Sequence, residues 1–382
     1  MDNIKKEKEF LMLFTDPHIV YSPSTLNVFY KLKELFKTQL ISARQSNYYT
    51  DKEIVDDNIT YIDFAPANSI YDLIKGLFFR ITDKFFKPSA SKITARTLNN
   101  SKTRALIAYI KKTDKEIIAV DFMALWCVQQ VGKQAHLLSL EINQNDPYYQ
   151  NIKLSTIKSV IIQSKERLDY LFPSEKPKYF IVQNAPKNID FVPVYNQREK
   201  TNLLYCGSAV FGFGIISCLD FIKDYKEYTL TVKGAFPKDT EQVINEFYAD
   251  LLAEKRLIVD NEYLSETELT HFVSKFRIGF AFYDFYRFGH LKTFNYFTAP
   301  SGKVFQYLNS GVPVIGNKLQ GFDFIEEKKC GKLIGYLSSL QIKSAIDAIE
   351  NDYLTYAANA KKAALTYDFN TMIQPFLDYV VA

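Results

Sequence analysis

The chain is poor in the residues that metal and redox chemistry need. Its four cysteines, Cys127, Cys206, Cys218 and Cys330, form no CxxC pair and take no metal-ligand spacing with the four histidines. Scattered cysteines in apolar context read as inert core residues of a reducing compartment. No Asp-x-Asp motif is present, and the nearest acidic pair, Asp56-Asp57, falls in a loop. The expectation is therefore no metal and no cofactor. Long apolar runs are also missing. Phe10–Phe14 is too short for a signal-peptide core, and no segment reaches the ~20 apolar residues of a membrane span. A soluble, cytoplasmic protein is expected. Charge of one sign is scarce: the net charge of +4 over 382 residues is too mild to argue nucleic-acid binding.

Apolar material is plentiful, at 47% of residues, and the length suits two domains of ordinary size. Short apolar runs alternate with helical spacing. Phe10–Phe14, Thr38–Ser42, Ile59–Asp63, Glu116–Asp121, His136–Ile142, Val160–Gln163 and Tyr179–Val182 read as buried strands. Thr25–Lys37 and Lys165–Leu171 read as helices. Residues 187–200 look like a linker, after which the alternation restarts with Asn202–Cys206, Tyr228–Val232, Leu257–Val259 and Arg277–Phe282. Ser265–Glu268 is a capping-box pattern. The fold class is α/β, with two successive Rossmann-like, doubly wound units.

One stretch stands apart. Between Lys75 and Lys112 there are ten Lys/Arg and a single acid, Asp83. Apolar residues from Ile70 to Phe86 accompany them. A basic amphipathic segment suits an anionic membrane surface, and it also suits a plain solvated face.

The strongest chemical signal runs from Ala299 to Ile315, APSGKVFQYLNSGVPVI. It reads as a loop, a short helix and a strand. Ser301 can cap the helix, Gly302 admits close approach, and the first amides and Lys303 offer positive charge to an anion. Lys303, Gln306, Tyr307 and Ser310 share one side. Gly302-Lys303 lacks the preceding glycine and following Ser/Thr of a Walker A loop. Gly207-x4-Gly212-x-Gly214 is not the GxGxxG of a dehydrogenase, and no acid closes the second strand.

Residues 300–315 resemble the donor-site signature of GT-B glycosyltransferases, of the group 1 type, roughly Pro-x-Lys-x-x-Glu-Tyr-x-x-x-Gly-x-Pro-Val-Ile. One extra residue precedes the Lys. The resemblance implies two Rossmann-like domains facing a cleft and a C-terminal helix crossing back to the N-terminal domain. The expected boundaries are 1–195 with 362–382 for the acceptor domain and 196–361 for the donor domain. It implies that Ser301, Gly302 and Lys303 bind the donor diphosphate, and that Gln306 stands where a ribose-binding Glu is usual. Leu203–Gly214 looks like the first strand and loop of the donor domain, which nominates Gly207 and Ser208. Lys233 is nominated as a phosphate counter-charge, and Tyr263 lies in the segment that resembles the base-binding one. A second Glu, usual in retaining members, is replaced by Thr298.

Transfer to a hydroxyl with inversion needs a base. Glu141 is the first candidate, followed by Asp16 and His18. The expected function is transfer of a sugar from a nucleotide-sugar donor to a glycan or polyprenyl-linked acceptor, in bacterial surface polysaccharide or glycolipid assembly. The segment 75–112 would meet the inner face of the membrane. The alternative is a nucleotide-sugar-binding protein of the same fold without transferase activity.

Overall fold

The structure is a computed structural model that describes residues 8–44, 54–63, 98–143, 146–187, 189, 191–262, 264–299 and 301–382. It divides into two compact units, Met1–Ile181 with Ile373–Ala382, and Val182–Met372.

The first unit is built on a seven-stranded sheet in the order β3-β2-β1-β4-β5-β6-β7. The strands are β1 (Glu9–Phe14), β2 (Lys37–Ala43), β3 (Ile59–Ile62), β4 (Glu116–Val120), β5 (Ala135–Ser139), β6 (Ile157–Ile162) and β7 (Tyr179–Ile181). Every pairing is parallel. Parallel sheets are covered on both faces, which is why β1 reads as an unbroken apolar run: Phe10, Leu11, Met12 and Leu13 are all fully buried. The buried His136 of β5 is satisfied. Its ring nitrogens lie 2.7 Å from Ser159 Oγ and 2.9 Å from Glu116 Oε1. The end of the C-terminal helix (Phe369–Val381) belongs to this unit. Phe376 meets His136 edge-on at 5.4 Å and Phe180 at 5.5 Å, and is fully buried. Burial of one such ring is worth ~2–3 kcal/mol.

The second unit repeats the plan with six parallel strands in the order β10-β9-β8-β11-β12-β13. They are β8 (Asn202–Cys206), β9 (Thr229–Lys233), β10 (Leu257–Asp260), β11 (Ile278–Ala281), β12 (Val314–Asn317) and β13 (Gly331–Ile334). The Ser265 capping box forms in both directions ahead of the helix Glu266–Val273. Of residues 187–200, expected as a linker, the described ones fall inside this unit. Arg198 is tied there, donating to the carbonyls of Ser274, Ser310 and Gly311.

Each sheet reverses its winding once, between β1 and β4 in the first unit and between β8 and β11 in the second. At such a point the two connections leave in opposite directions and open a crevice beyond the carboxyl ends of the strands, where α/β proteins bind ligands.

Candidate functional site

The crossover from β11 to β12 carries the helix Gly302–Asn309. Ser301 precedes it with extended backbone, φ −63° and ψ 127°, but its hydroxyl makes no capping bond, contrary to expectation. The amides that open this helix are therefore not taken up by that side chain. Val304, Phe305, Tyr307 and Leu308 are buried against the sheet. Tyr307 is a structural pin: its hydroxyl accepts from the Cys206 amide at 2.7 Å and donates to the Phe280 carbonyl at 3.0 Å. It thus holds the helix across β8 and β11, the two strands at the switch point. Ser310 is likewise spent on the protein, donating to the Thr270 carbonyl at 3.0 Å.

Lys303 points its ammonium into this point. Nζ is buried and has no hydrogen-bond partner among the described residues. It lies 4.7 Å from the ring of Tyr205 and 5.4 Å from that of Phe213. A Cβ on Gly207 would come 3.8 Å from it. Burial pulls the Lys303 pKa down to about 8. The neighbouring thiol of Cys206 is pushed the other way, up to about 11, also by burial, and so offers no counter-charge near neutral pH. Ring faces supply part of the missing stabilisation, on the order of 2 kcal/mol when desolvated. An ammonium buried without an anion is costly, and the helix start beside it is a place where an anion is favoured.

Gly207 and Gly234 let two strand ends crowd together here. Both have positive φ, 121° and 140°, and a Cβ on Gly234 would sit 2.3 Å from the Gly207 carbonyl oxygen. Ser208 contributes its backbone carbonyl, which accepts from the Tyr205 hydroxyl at 2.8 Å. Lys233 is buried at the end of β9, but its ammonium is already paired with Asp260 at 2.6 Å. Gln306 is buried and donates to Thr270 Oγ1 at 3.1 Å. Thr298 is buried too, its hydroxyl turned to the Phe294 carbonyl at 2.7 Å. Tyr263 lies outside the described residues.

In the first unit the acidic candidates follow β1 and β5. Asp16 is exposed, and its carboxylate accepts from the His18 amide at 2.8 Å, a local turn. Lys102 reaches the same loop, donating to the Thr15 carbonyl at 3.2 Å. Glu141 is exposed and lies two residues past the end of β5.

A third acid, absent from those candidates, is better held. Asp121 opens the helix Asp121–Gln130 directly after β4, with φ +59°. Its Oδ1 accepts from the amides of Leu140 at 2.8 Å and Glu141 at 3.1 Å, so the carboxyl bridges the ends of β4 and β5. Its Oδ2 makes no hydrogen bond among the described residues, and the residue remains partly exposed. Burial, with Glu141 nearby, pushes its pKa up to about 7, against the pull of the two amides and Arg167. The strand expected over Glu116–Asp121 ends one residue earlier, at Val120, which frees Asp121 to open the helix.

No protein-family model matches the chain. No curated protein matches it by sequence. Solved structures do. Sucrose-phosphate synthase from Thermosynechococcus elongatus superposes with a TM-score of 0.68 over 98% of each chain, at 14% identity. HepE from Anabaena, solved with UDP and glucose, gives 0.67 over 98% of this chain and 99% of that one, at 12% identity. The chain has the GT-B fold. The pneumococcal O-GlcNAc transferase GtfA, solved with UDP and GlcNAc, gives 0.52 at 15% identity. There the match covers 73% of this chain and 59% of that longer one.

Within the GT-B frame, the observed topology accounts for both sets of residues. Lys303, Gly207 and the helix start share the switch point of the second unit, while Asp121 stands at that of the first. Among the described residues no cluster of three or more His, Cys, Asp or Glu could hold a metal ion, and no helix is long and apolar enough to cross a membrane. Most of the basic segment, residues 75–97, lies outside the described residues.

Proposed function

We propose that this GT-B chain is a glycosyltransferase that takes a sugar from a nucleotide-sugar donor. The observation that carries the reading is the Lys303 ammonium, buried with no hydrogen-bond partner among the described residues beside the first turn of the Gly302–Asn309 helix at the switch point. A diphosphate supplies what is missing there: negative charge for the lysine and acceptors for the helix amides. The same groups then stabilise the charge that develops on the leaving diphosphate as the sugar departs. Cleavage by this route calls on no metal and no cofactor. Gly207 allows close approach, and Lys233 acts at longer range through its pair with Asp260.

The acceptor is a hydroxyl of a glycan or a polyprenyl-linked sugar in bacterial surface-polysaccharide or glycolipid assembly, reached from the cytoplasmic face of the membrane. The basic composition of 75–112 supports that part. Replacing four of its Lys/Arg by Gln should weaken binding to anionic liposomes, and unchanged binding removes the membrane step.

The donor site is tested by a thermal-shift screen against UDP-, GDP-, ADP- and CMP-sugars. A ligand at ~100 Kd adds ~2.7 kcal/mol of stability. No shift with any of them refutes the function. A second reading, a donor-binding protein without transfer, is favoured by Gln306 and Thr298, whose side chains are turned to protein partners. It requires donor binding with neither donor hydrolysis nor transfer.

A further inference from the structure

The Asp121 carboxyl has the build of a group held for a task. Its backbone adopts φ +59°, a left-handed conformation that is strained for a non-glycine residue and that Asp tolerates better than most. The conformation places the side chain over the carboxyl edge of the sheet, where the amides of Leu140 and Glu141 fix Oδ1. One oxygen is anchored by two donors. The other, Oδ2, makes no hydrogen bond among the described residues, next to the reversal between β1 and β4. A purely structural strut has no need of that second oxygen on a partly exposed residue at a ligand-binding edge.

We propose that Asp121 is the catalytic base for the acceptor: its Oδ2 receives the proton of the attacking hydroxyl. The inference rests on the glycosyltransferase reading above. The acceptor O–H bond breaks and its proton passes to Oδ2. The acceptor oxygen bonds to the anomeric carbon, and the bond from that carbon to the phosphate oxygen breaks, its electron pair leaving on the nucleoside diphosphate. A base near neutrality suits this step, because it is ionised at working pH yet still basic enough to accept. Burial raises the carboxyl to about 7. The charged groups that act on it are Glu141, from the end of β5, which raises it, and Arg167, on the helix Lys165–Leu171, which lowers it.

The test uses the full chain and the nucleotide sugar that stabilises it most in the screen. Asp121→Asn keeps an acceptor for both amides and tolerates the left-handed backbone. Donor affinity should stay within twofold, while transfer to water and to alkyl glycosides falls at least 100-fold. Transfer to 4-nitrophenol at mildly alkaline pH, where the nucleophile is already ionised, should fall less than tenfold. The acid limb of kcat/KM near pH 7 should disappear. If Asp121→Asn does not fold, Asp121→Gly, which suits the same φ, should lose transfer and regain part of it with added formate. Transfer within threefold of wild type overturns the proposal, as does equal loss with hydroxyl and phenolate acceptors. A wild-type chain that binds no nucleotide sugar overturns the function and this inference together. Donor binding and transfer that are indifferent to Asp121 overturn the inference alone.

Discussion

The two units share one plan and differ in the charge they place at the same topological position. Both sheets are parallel and both reverse once, yet the second unit offers a lysine and the first an aspartate. Lys303 sits on the rings of Tyr205 and Phe213 with no hydrogen-bond partner among the described residues, and burial lowers its pKa. Asp121 is tied by one oxygen, and burial raises its pKa. In both cases desolvation works against the charged form, so each group is held at a cost that a ligand can offset. The contrast with Lys233 shows what an ordinary solution looks like: it too is buried at the carboxyl edge of the sheet, but Asp260 answers its charge.

The comparison is broken most severely at Lys303. Lys303→Met should cut nucleotide-sugar affinity at least 100-fold by calorimetry, about 2.7 kcal/mol. The unliganded variant should melt higher than wild type, since an unpaired buried charge has been removed. In wild type the depressed lysine pKa means the unfolded chain binds more protons between about pH 8 and the ordinary lysine range. Stability from this group therefore rises with pH through that window, and the variant loses the rise.

Next is Lys233→Met, which leaves Asp260 unanswered. Stability should drop by about 1–3 kcal/mol in urea titration, with donor affinity reduced less than tenfold, because this lysine is already paired. An affinity loss as large as that at Lys303 would erase the distinction between the two.

Asp121 then sharpens the comparison through pH. A raised carboxyl pKa means the folded chain holds a proton that the unfolded chain releases from about pH 4 upward. Its contribution is favourable at low pH and is lost as pH rises toward 7. Asp121→Asn should consequently melt about 3 °C above wild type at pH 8 and match it at pH 4. The smallest effect is expected at Gln306→Glu. Thr270 can turn its hydroxyl from the Glu266 carbonyl to the new carboxylate, and donor affinity should change about threefold or less.

Much of this was legible in the chain. The strand β8 and the helix Lys165–Leu171 fall where apolar spacing puts them. Lys303 was legible because a phosphate-binding helix start needs a small residue and a cation at adjacent positions. Asp121 was not. Local patterning reads a residue after Ile-Ile-Ala-Val as more strand, and nothing nearby in sequence announces a left-handed φ. That conformation is held by amides of Leu140 and Glu141, 19 and 20 residues away.

Local periodicity and residue type suffice for the alternation of strand and helix and the two doubly wound units, and they single out Ser301-Gly302-Lys303 as a candidate anion-binding turn. The tertiary structure alone decided which charges have partners. Lys233 meets Asp260 because β9 and β10 pair in register, Lys233 beside Asp260. The Lys303 ammonium instead lies against the rings of Tyr205, on β8, and Phe213. Whether a charge is answered or left for a ligand depends on which strands become neighbours, and that order is a property of the folded sheet.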